Sequence, residues 1–310
     1  MKAPNGNKLA ILNALNEGGF VSGQALGDEL GISRAAVSKH IKTLQEMGLD
    51  IFKVTGKGYS LNNHVGLLNQ VQIQKNYKAL GASTANVEVH PIIDSTNSEL
   101  MRRIQAKEAL ESGTVIVAEM QQAGRGRRGR VWQSPFGANL YYSYFWRLDD
   151  GLQAAMGVSI AVGLAVYDAI KVLYNIDIEL KWPNDIYLNK QKLAGVLVEL
   201  DGQPQGPCQL VIGIGINLQM PESFSQHIDQ AWTDLSQHTQ QLDKNQLVAS
   251  LTDCLEQRLV EYRQTGLQTM YEQWNSLNAF AGECVELNTG HRSWRGICEG
   301  IDSQGGIRIR

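Results

Sequence analysis

The chain has 310 residues, a formal charge of −3 and 43% hydrophobic residues, enough for two or three ordinary cores and too much for global disorder. The uncharged apolar stretch from Gly151 to Tyr167 is too short and too glycine-broken for a membrane span. With no signal-peptide pattern at the start, a cytoplasmic protein is expected. Four scattered cysteines without a CxxC pair, and histidines without ligand spacing, give no disulfide framework or zinc cluster, so no metal ligand is assigned from spacing.

Charge divides unevenly along the chain. Residues 1–64 carry seven Lys/Arg against five Asp/Glu, whereas the remainder carries 21 against 26. Leu9, Leu12 and Leu15 predict a first short helix ending at Gly18-Gly19. Ser22 caps a second, with Ala25, Leu26 and Leu30, and Gly31 breaks it. Ser33 caps a third helix that places Val37, Ile41 and Leu44 on one face and ends at Gly48. Its opposite face presents Arg34, Ala35, Ser38, Lys39 and Lys42: cations for phosphate, small or hydrogen-bonding groups for base edges. The run from Leu49 to Leu61 reads as a glycine-turned hairpin with Lys57 at its tip. Together these predict a winged helix-turn-helix; the bland reading is a small helical domain with a solvated basic face.

After a linker near Asn62–Asn69, strands are predicted at Val87–Ile93, Thr114–Glu119, Leu140–Trp146, Ile178–Lys181, Ile186–Leu188, Lys192–Glu199 and Gln209–Ile214. A buried helix is predicted over Leu152–Tyr174, and helical spacing returns from Lys244 to Leu277. Short hairpins interleaved with helices point to an α+β mixed sheet, not a doubly wound parallel one.

Gly124-Arg-Gly-Arg-Arg-Gly-Arg130 has too many glycines for a helix or strand interior and reads as a mobile loop with four permanent cations. It fits closure over a phosphate or carboxylate, or else a nonspecific RNA contact or a simply solvated loop. The GxGxxG spacing within it is filled by arginine and lacks the acidic second strand of a dinucleotide fold. Lys181-Trp-Pro-Asn-Asp185 places polar groups at a turn, and Gly213-Ile-Gly-Ile-Asn217 marks a strand end that a ligand or a backbone approaches closely; both segments also read as purely structural.

These segments, with Asp94-Ser-Thr-Asn97, Gln121-Gln-Ala-Gly124 and Lys192-Leu-Ala-Gly195, occur in the order found in biotin protein ligases. With the winged helix in front, the chain resembles the bifunctional type that is both ligase and biotin operon repressor. Lipoate ligases, the nearest enzymatic alternative, share the catalytic fold but lack the arginine–glycine sequence.

The resemblance implies a winged helix-turn-helix over residues 1–64. It implies a class II aminoacyl-tRNA synthetase-like catalytic domain over 65–277 and a small SH3-like barrel over 278–310. It further implies that ATP, with Mg²⁺, activates biotin to biotinyl-5′-adenylate, and that biotin then passes to a lysine of the carboxyl carrier protein of acetyl-CoA carboxylase. In the family, the adenylate-bound form dimerises and binds operator double-stranded DNA. By the same match, Ser95, Thr96, Asn97 and Gln121 line the biotin site. Arg125, Gly126 and Arg127 close over the carboxylate and adenylate, and Lys192 neutralises developing charge. Asp185 organises the nucleotide with Mg²⁺; Arg130, Asn184, Asn217 and Trp232 are assigned to the nucleotide, Trp232 stacking on the adenine. Neither reaction step requires a covalent enzyme nucleophile. The sequence ends at Gly305-Gly-Ile-Arg-Ile-Arg310, about two strands short of the implied barrel, so an unpaired strand edge is expected. Two further readings are a ligase whose head does not repress and a regulator that senses biotin without catalysis.

Overall fold

A computed structural model describes residues 6–62, 66–82, 86–149, 151, 155–202, 206–226, 228–290 and 292–310. The head consists of α1 (Gly6–Asn16), α2 (Gly23–Leu30) and α3 (Arg34–Glu46), followed by β1 (Ile51–Val54) and β2 (Gly58–Leu61), an antiparallel wing. Both expected caps are present. Ser22 Oγ accepts from the Ala25 amide at 3.0 Å and Ser33 Oγ from that of Ala36 at 3.2 Å. The turn between α2 and α3 needs glycine at position 27, where a Cβ would lie 2.7 Å from the Ile32 carbonyl. Ile11, Leu12, Leu15, Leu26, Val37, Ile41 and Leu44 form the head's core. Ile11 completes the α1 face in place of half-buried Leu9, and Ala25 is exposed.

The predicted linker leads into an unexpected helix, α4 (Gln70–Ala79), capped by Asn69. Its polar sequence hides the signal, since only Ile73 and Tyr77, four residues apart, are buried. Residues 63–65, where the predicted boundary between head and catalytic domain falls, lie outside the described residues.

The central sheet is mixed, as expected. Its strands are β3 (Asn86–His90), β4 (Thr114–Ala118), β5 (Asn139–Leu148), β6 (Glu179–Lys181), β7 (Asp185–Leu188), β8 (Gln191–Gly202) and β9 (Cys208–Asn217), in the order β3-β4-β5-β9-β8-β7-β6. Only β3 and β4 run parallel. On one face α5 (Thr96–Gln105) packs Leu100 and Ile104 against Ile116, Phe145 and Val211. The main core joins α4 and α6 (Val158–Tyr174) to the sheet. The short α7 (Glu222–Ser225) precedes the long α8 (Lys244–Thr265), whose Leu247, Leu251 and Leu255 belong to that core.

The helix predicted from Leu152 is shorter, because Gly157 adopts φ +92° immediately before Val158; residues 152–154 lie outside the described residues. The predicted helical tract to Leu277 is likewise two helices, broken by Gly266 before α9 (Tyr271–Ser276). The C-terminal part is a three-stranded antiparallel sheet of β10 (Cys284–Asn288), β11 (Ser293–Ile301) and β12 (Ile307–Ile309). It is anchored to the central sheet where the Ala279 amide donates to the Leu180 carbonyl at 2.9 Å.

The head does not stand apart. Met120 and Phe136, from the segments flanking the arginine–glycine loop, are buried within its core.

Candidate active site

The arginine–glycine segment leaves the sheet after β4 and returns before β5, so it hangs over the sheet's central strands. It is folded on itself. The Gly126 amide donates to the Arg130 carbonyl at 2.8 Å and the Trp132 amide to that of Gly124 at 2.9 Å. Arg128 stands at φ +55° in the turn. Glycine is required at 124, where a Cβ would approach Ser134 Oγ to 2.5 Å and the Trp132 carbonyl to 2.6 Å.

Beneath the loop lies a cleft of about 460 Å³. Ser95, Thr96, Asn97, Gln121, Arg125, Gly126, Arg127, Arg130, Asn184, Asp185 and Lys192 all line it, although they come from segments far apart in the chain. One end is neutral and rich in hydrogen-bonding groups. Ser95 caps α5, turning Thr96 and Asn97 toward the sheet. The Thr96 amide donates to Gln121 Oε1 at 2.9 Å, and Ser143 Oγ donates to Asn97 Oδ1 at 2.6 Å while lying 2.7 Å from Thr96 Oγ1. Asn97 is oriented by donating to Glu199 Oε2 at 2.9 Å. Just outside, Arg102 holds Asp94 at 2.5 Å, and this hydrogen bond is the main cause of the carboxyl's lowered pKa.

The other end is cationic. Lys192 Nζ pairs with Asp185 Oδ1 at 2.7 Å, both side chains being largely buried. Arg127 Nη1 donates to Asn184 Oδ1 at 3.1 Å, which ties the loop to the turn after β6. Arg125 stands where the two ends meet, reaching Ser98 Oγ and the same Glu199 Oε2 that orients Asn97, each at 3.0 Å. Arg128 Nη2 donates to the Asn288 carbonyl at 3.2 Å, so the C-terminal sheet also walls the cleft.

Along the glycine-rich strand, where a ligand or a backbone was expected to approach, the close approach is instead made by side chains. A Cβ at Gly213 would lie 2.3 Å from Asn97 Oδ1, and one at Gly215 2.6 Å from the Trp132 ring. The sequence reading missed Trp132, which lines the cleft, and Ser143, which is buried behind it and braces Thr96 and Asn97. The aromatic residue two places after the last loop arginine was a usable signal for Trp132. Ser143 carries none, because its role comes from the register that sets it opposite Gly213.

A second branch of about 280 Å³ is lined by Arg130, Trp132, Lys192, Asn217 and Trp232. The Trp232 segment lies along Lys192, whose amide donates to the Ala231 carbonyl at 3.0 Å and whose carbonyl accepts from Thr233 at 3.0 Å. Asn217 is buried and donates to the Thr233 carbonyl at 3.0 Å, so it braces this segment as well as lining the branch.

In the head, Arg34, Ala35, Ser38, Lys39 and Lys42 are all exposed on α3. Lys57 is exposed between the wing strands, its ammonium 5.6 Å from the Phe20 ring centre.

Residues 89–217 match the biotin/lipoate A/B protein ligase family, and residues 7–60 match an HTH domain. Among solved structures, the chain is similar to a biotin protein ligase from Aquifex aeolicus in complex with biotin and ATP. That likeness has a TM-score of 0.62 and 28% identity, over 72% of this chain and 91% of that one. Fold and cleft thus define a protein ligase of the biotin/lipoate class that carries a DNA-binding head. The chain is 44% identical to the bifunctional ligase/repressor BirA of Salmonella typhimurium, over 97% of its own length and 92% of that protein. The Bacillus subtilis protein of the same name is 32% identical over 92% and 88%. The chain belongs to this family of bifunctional biotin ligase/repressors. No helix among the described residues is long and apolar enough to cross a membrane.

Proposed function

We propose that this chain activates biotin with ATP, transfers it to a lysine of the biotin carboxyl carrier protein, and represses biotin biosynthesis from the same polypeptide in the cytoplasm. One observation carries the reading: a single cleft joins a neutral hydrogen-bonding end to a mouth lined by loop arginines and Lys192. A ring with a ureido group suits the first and a carboxylate beside a triphosphate suits the second.

In the first step the biotin carboxylate attacks the α-phosphorus of ATP, the α–β bridging P–O bond breaks, and pyrophosphate leaves from biotinyl-5′-adenylate. Ser95, Thr96, Asn97 and Gln121 hold the ureido ring. Arg125, Gly126 and Arg127 cover the carboxylate, and Lys192 exchanges Asp185 for the oxygens that gain charge. Arg130, Asn184 and Asn217 contact or brace the nucleotide, and Trp232 stacks on its base from the second branch. In the second step the carrier lysine attacks the mixed anhydride and AMP leaves; positioning suffices, so no enzyme nucleophile is invoked. Asp185 supplies one carboxylate, which fits Mg²⁺ arriving on the triphosphate, since that ion binds through one or two carboxylates plus phosphate oxygens. Mg²⁺ would there offset phosphate charge. Adenylate binding favours a homodimer that presents two copies of α3 to operator DNA.

The test is pyrophosphate release by the purified chain with ATP and Mg²⁺, alone, with biotin, and with lipoate. Biotin-dependent release is expected. Release with lipoate alone overturns the substrate, and an operator gel shift with and without biotin tests repression.

A further inference from the structure

The cations of the cleft differ in what already holds them. Lys192 is paired with Asp185 and Arg125 with Glu199. Lys181, at the end of β6, also lines the cleft, yet among the described residues no carboxylate pairs with it. Its ammonium donates to Tyr187 Oη at 3.0 Å and lies 5.5 Å from the Phe280 ring centre. Tyr187 and Phe280 meet edge to face, their ring centres 5.9 Å apart, and Lys190 approaches Phe280 from 4.9 Å. Lys190 is anchored in turn by Glu283 at 2.8 Å. The start of the C-terminal part thus builds an aromatic bracket that fixes Lys181 at the cationic mouth without neutralising it. Arg128, also without a carboxylate partner among the described residues, enters from the loop side and is held by the Asn288 carbonyl.

A half-buried cation kept apart from carboxylates is costly unless an anion completes it. We propose that Lys181 is a further substrate-contacting residue of the adenylation step, binding the β- and γ-phosphates of ATP and then the departing pyrophosphate. This deepens the ligase reading and rests on it. As the carboxylate oxygen bonds to the α-phosphorus, the α–β bridging P–O bond breaks and its electron pair leaves on pyrophosphate. Lys181 meets that charge, while Lys192 serves the α-phosphate and carboxylate side. The second step, with pyrophosphate gone, makes no use of Lys181. Phe280 and Tyr187 are positioning residues that link the C-terminal part to this subsite.

The test uses the full chain with Lys181→Met, which keeps the stem packed in the bracket, and Lys181→Arg, which keeps the charge. Binding of inorganic pyrophosphate is measured by calorimetry, both half-reactions are assayed separately, and thermal unfolding monitors the fold. For Lys181→Met, pyrophosphate affinity is expected to fall, and KM for ATP to rise, on the order of ten- to a hundredfold, the range of a charge-assisted contact. KM for biotin and transfer from preformed biotinyl adenylate stay at wild-type values, and Lys181→Arg recovers most of the loss. Wild-type pyrophosphate affinity and ATP KM in Lys181→Met would overturn the proposal. So would equal losses in both half-reactions with a lowered melting temperature, which mark a structural role. If the wild-type chain releases no pyrophosphate with biotin, the ligase reading fails; an unaltered pyrophosphate isotherm in Lys181→Met removes Lys181 independently.

Discussion

The backbone amide of Phe136 donates to the carbonyl of Met47 across 2.8 Å, and the Phe136 ring is buried in the core of the DNA-binding head. Phe136 stands two residues beyond Ser134, whose hydroxyl accepts from Gln121 at 3.3 Å in the cleft. At the end of α3, Gly48 (φ +104°) leaves room for Pro135, whose Cβ would lie 2.7 Å from a Cβ at that position. The segment that leaves the arginine–glycine loop is therefore also a wall of the head. Phe136→Ala is expected to destabilise the head by about 3–5 kcal/mol, the cost of deleting a buried aromatic ring. Denaturation followed by a probe in α3 checks this, and an unchanged head transition refutes the shared core.

Lys192 and Asp185 sit at the inner end of the cationic mouth. Lys192→Ala is expected to lower biotin adenylation on the order of 10²–10³-fold, as removal of one preorganised donor to developing charge does. The Ala231 and Thr233 bonds to the Lys192 backbone survive the substitution, so the fold should persist. Biotin-dependent pyrophosphate exchange and circular dichroism test the two halves of this statement; undiminished exchange takes Lys192 out of the mechanism.

Arg127 is the arginine that fastens the loop to the Asn184 turn. Arg127→Gly removes that link and one cation from the cover of the adenylate. The reactive anhydride should then escape and biotinylate lysines of bystander proteins. Incubation with an unrelated lysine-rich protein measures the leak, and a wild-type adenylate lifetime without stray labelling contradicts a closing role for Arg127.

Glu256 on α8 is half-buried beside Tyr77 and Asp253, and burial is the main cause of its raised pKa. The folded chain then keeps a proton that the unfolded chain loses near 4.5. Stability contributed by this group consequently falls as pH climbs from 4.5 through the raised value. Glu256→Gln keeps an acceptor for the Tyr77 hydroxyl without the buried charge. Urea unfolding of both proteins at several pH values should show the variant gaining on wild type as pH rises, and a constant difference refutes the buried-charge account.

The site was legible where chemistry is local to a motif. Four arginines among glycines, the Lys181–Asp185 turn and the Lys192–Gly195 strand announce themselves in any window of ten residues. Ser143 and the Asn97 cover of Gly213 were not, because they depend on which strands pair and in what register. The α4 helix was missed for a different reason: two buried residues in a polar decapeptide give too weak a period, and the helix is supported by packing on α8. The Phe280 bracket likewise exists only once the C-terminal part folds back on β6 and β7. In the head, cap, turn and core spacing are all local, and the prediction there departs from the structure only at Leu9, replaced in the core by Ile11, and at exposed Ala25.

The exposed face of α3 gives the last prediction. Lys39, Lys42 and the wing's Lys57 are solvent-facing cations, and Ser38 lies among them as a short group able to reach a base edge. Phosphate contacts release counterions, so Lys39→Ala and Lys57→Ala should each weaken binding to all DNA sequences alike. Each should also reduce the slope of log affinity against log salt by about one. Ser38→Ala should leave that slope in place and narrow the preference for operator over unrelated duplex, because a base contact carries sequence information and no counterion. Titrations over a range of salt concentrations, with operator and with scrambled duplex, separate the two behaviours. A lysine variant that loses only operator preference, or a Ser38 variant that changes the salt slope, reverses these assignments on α3.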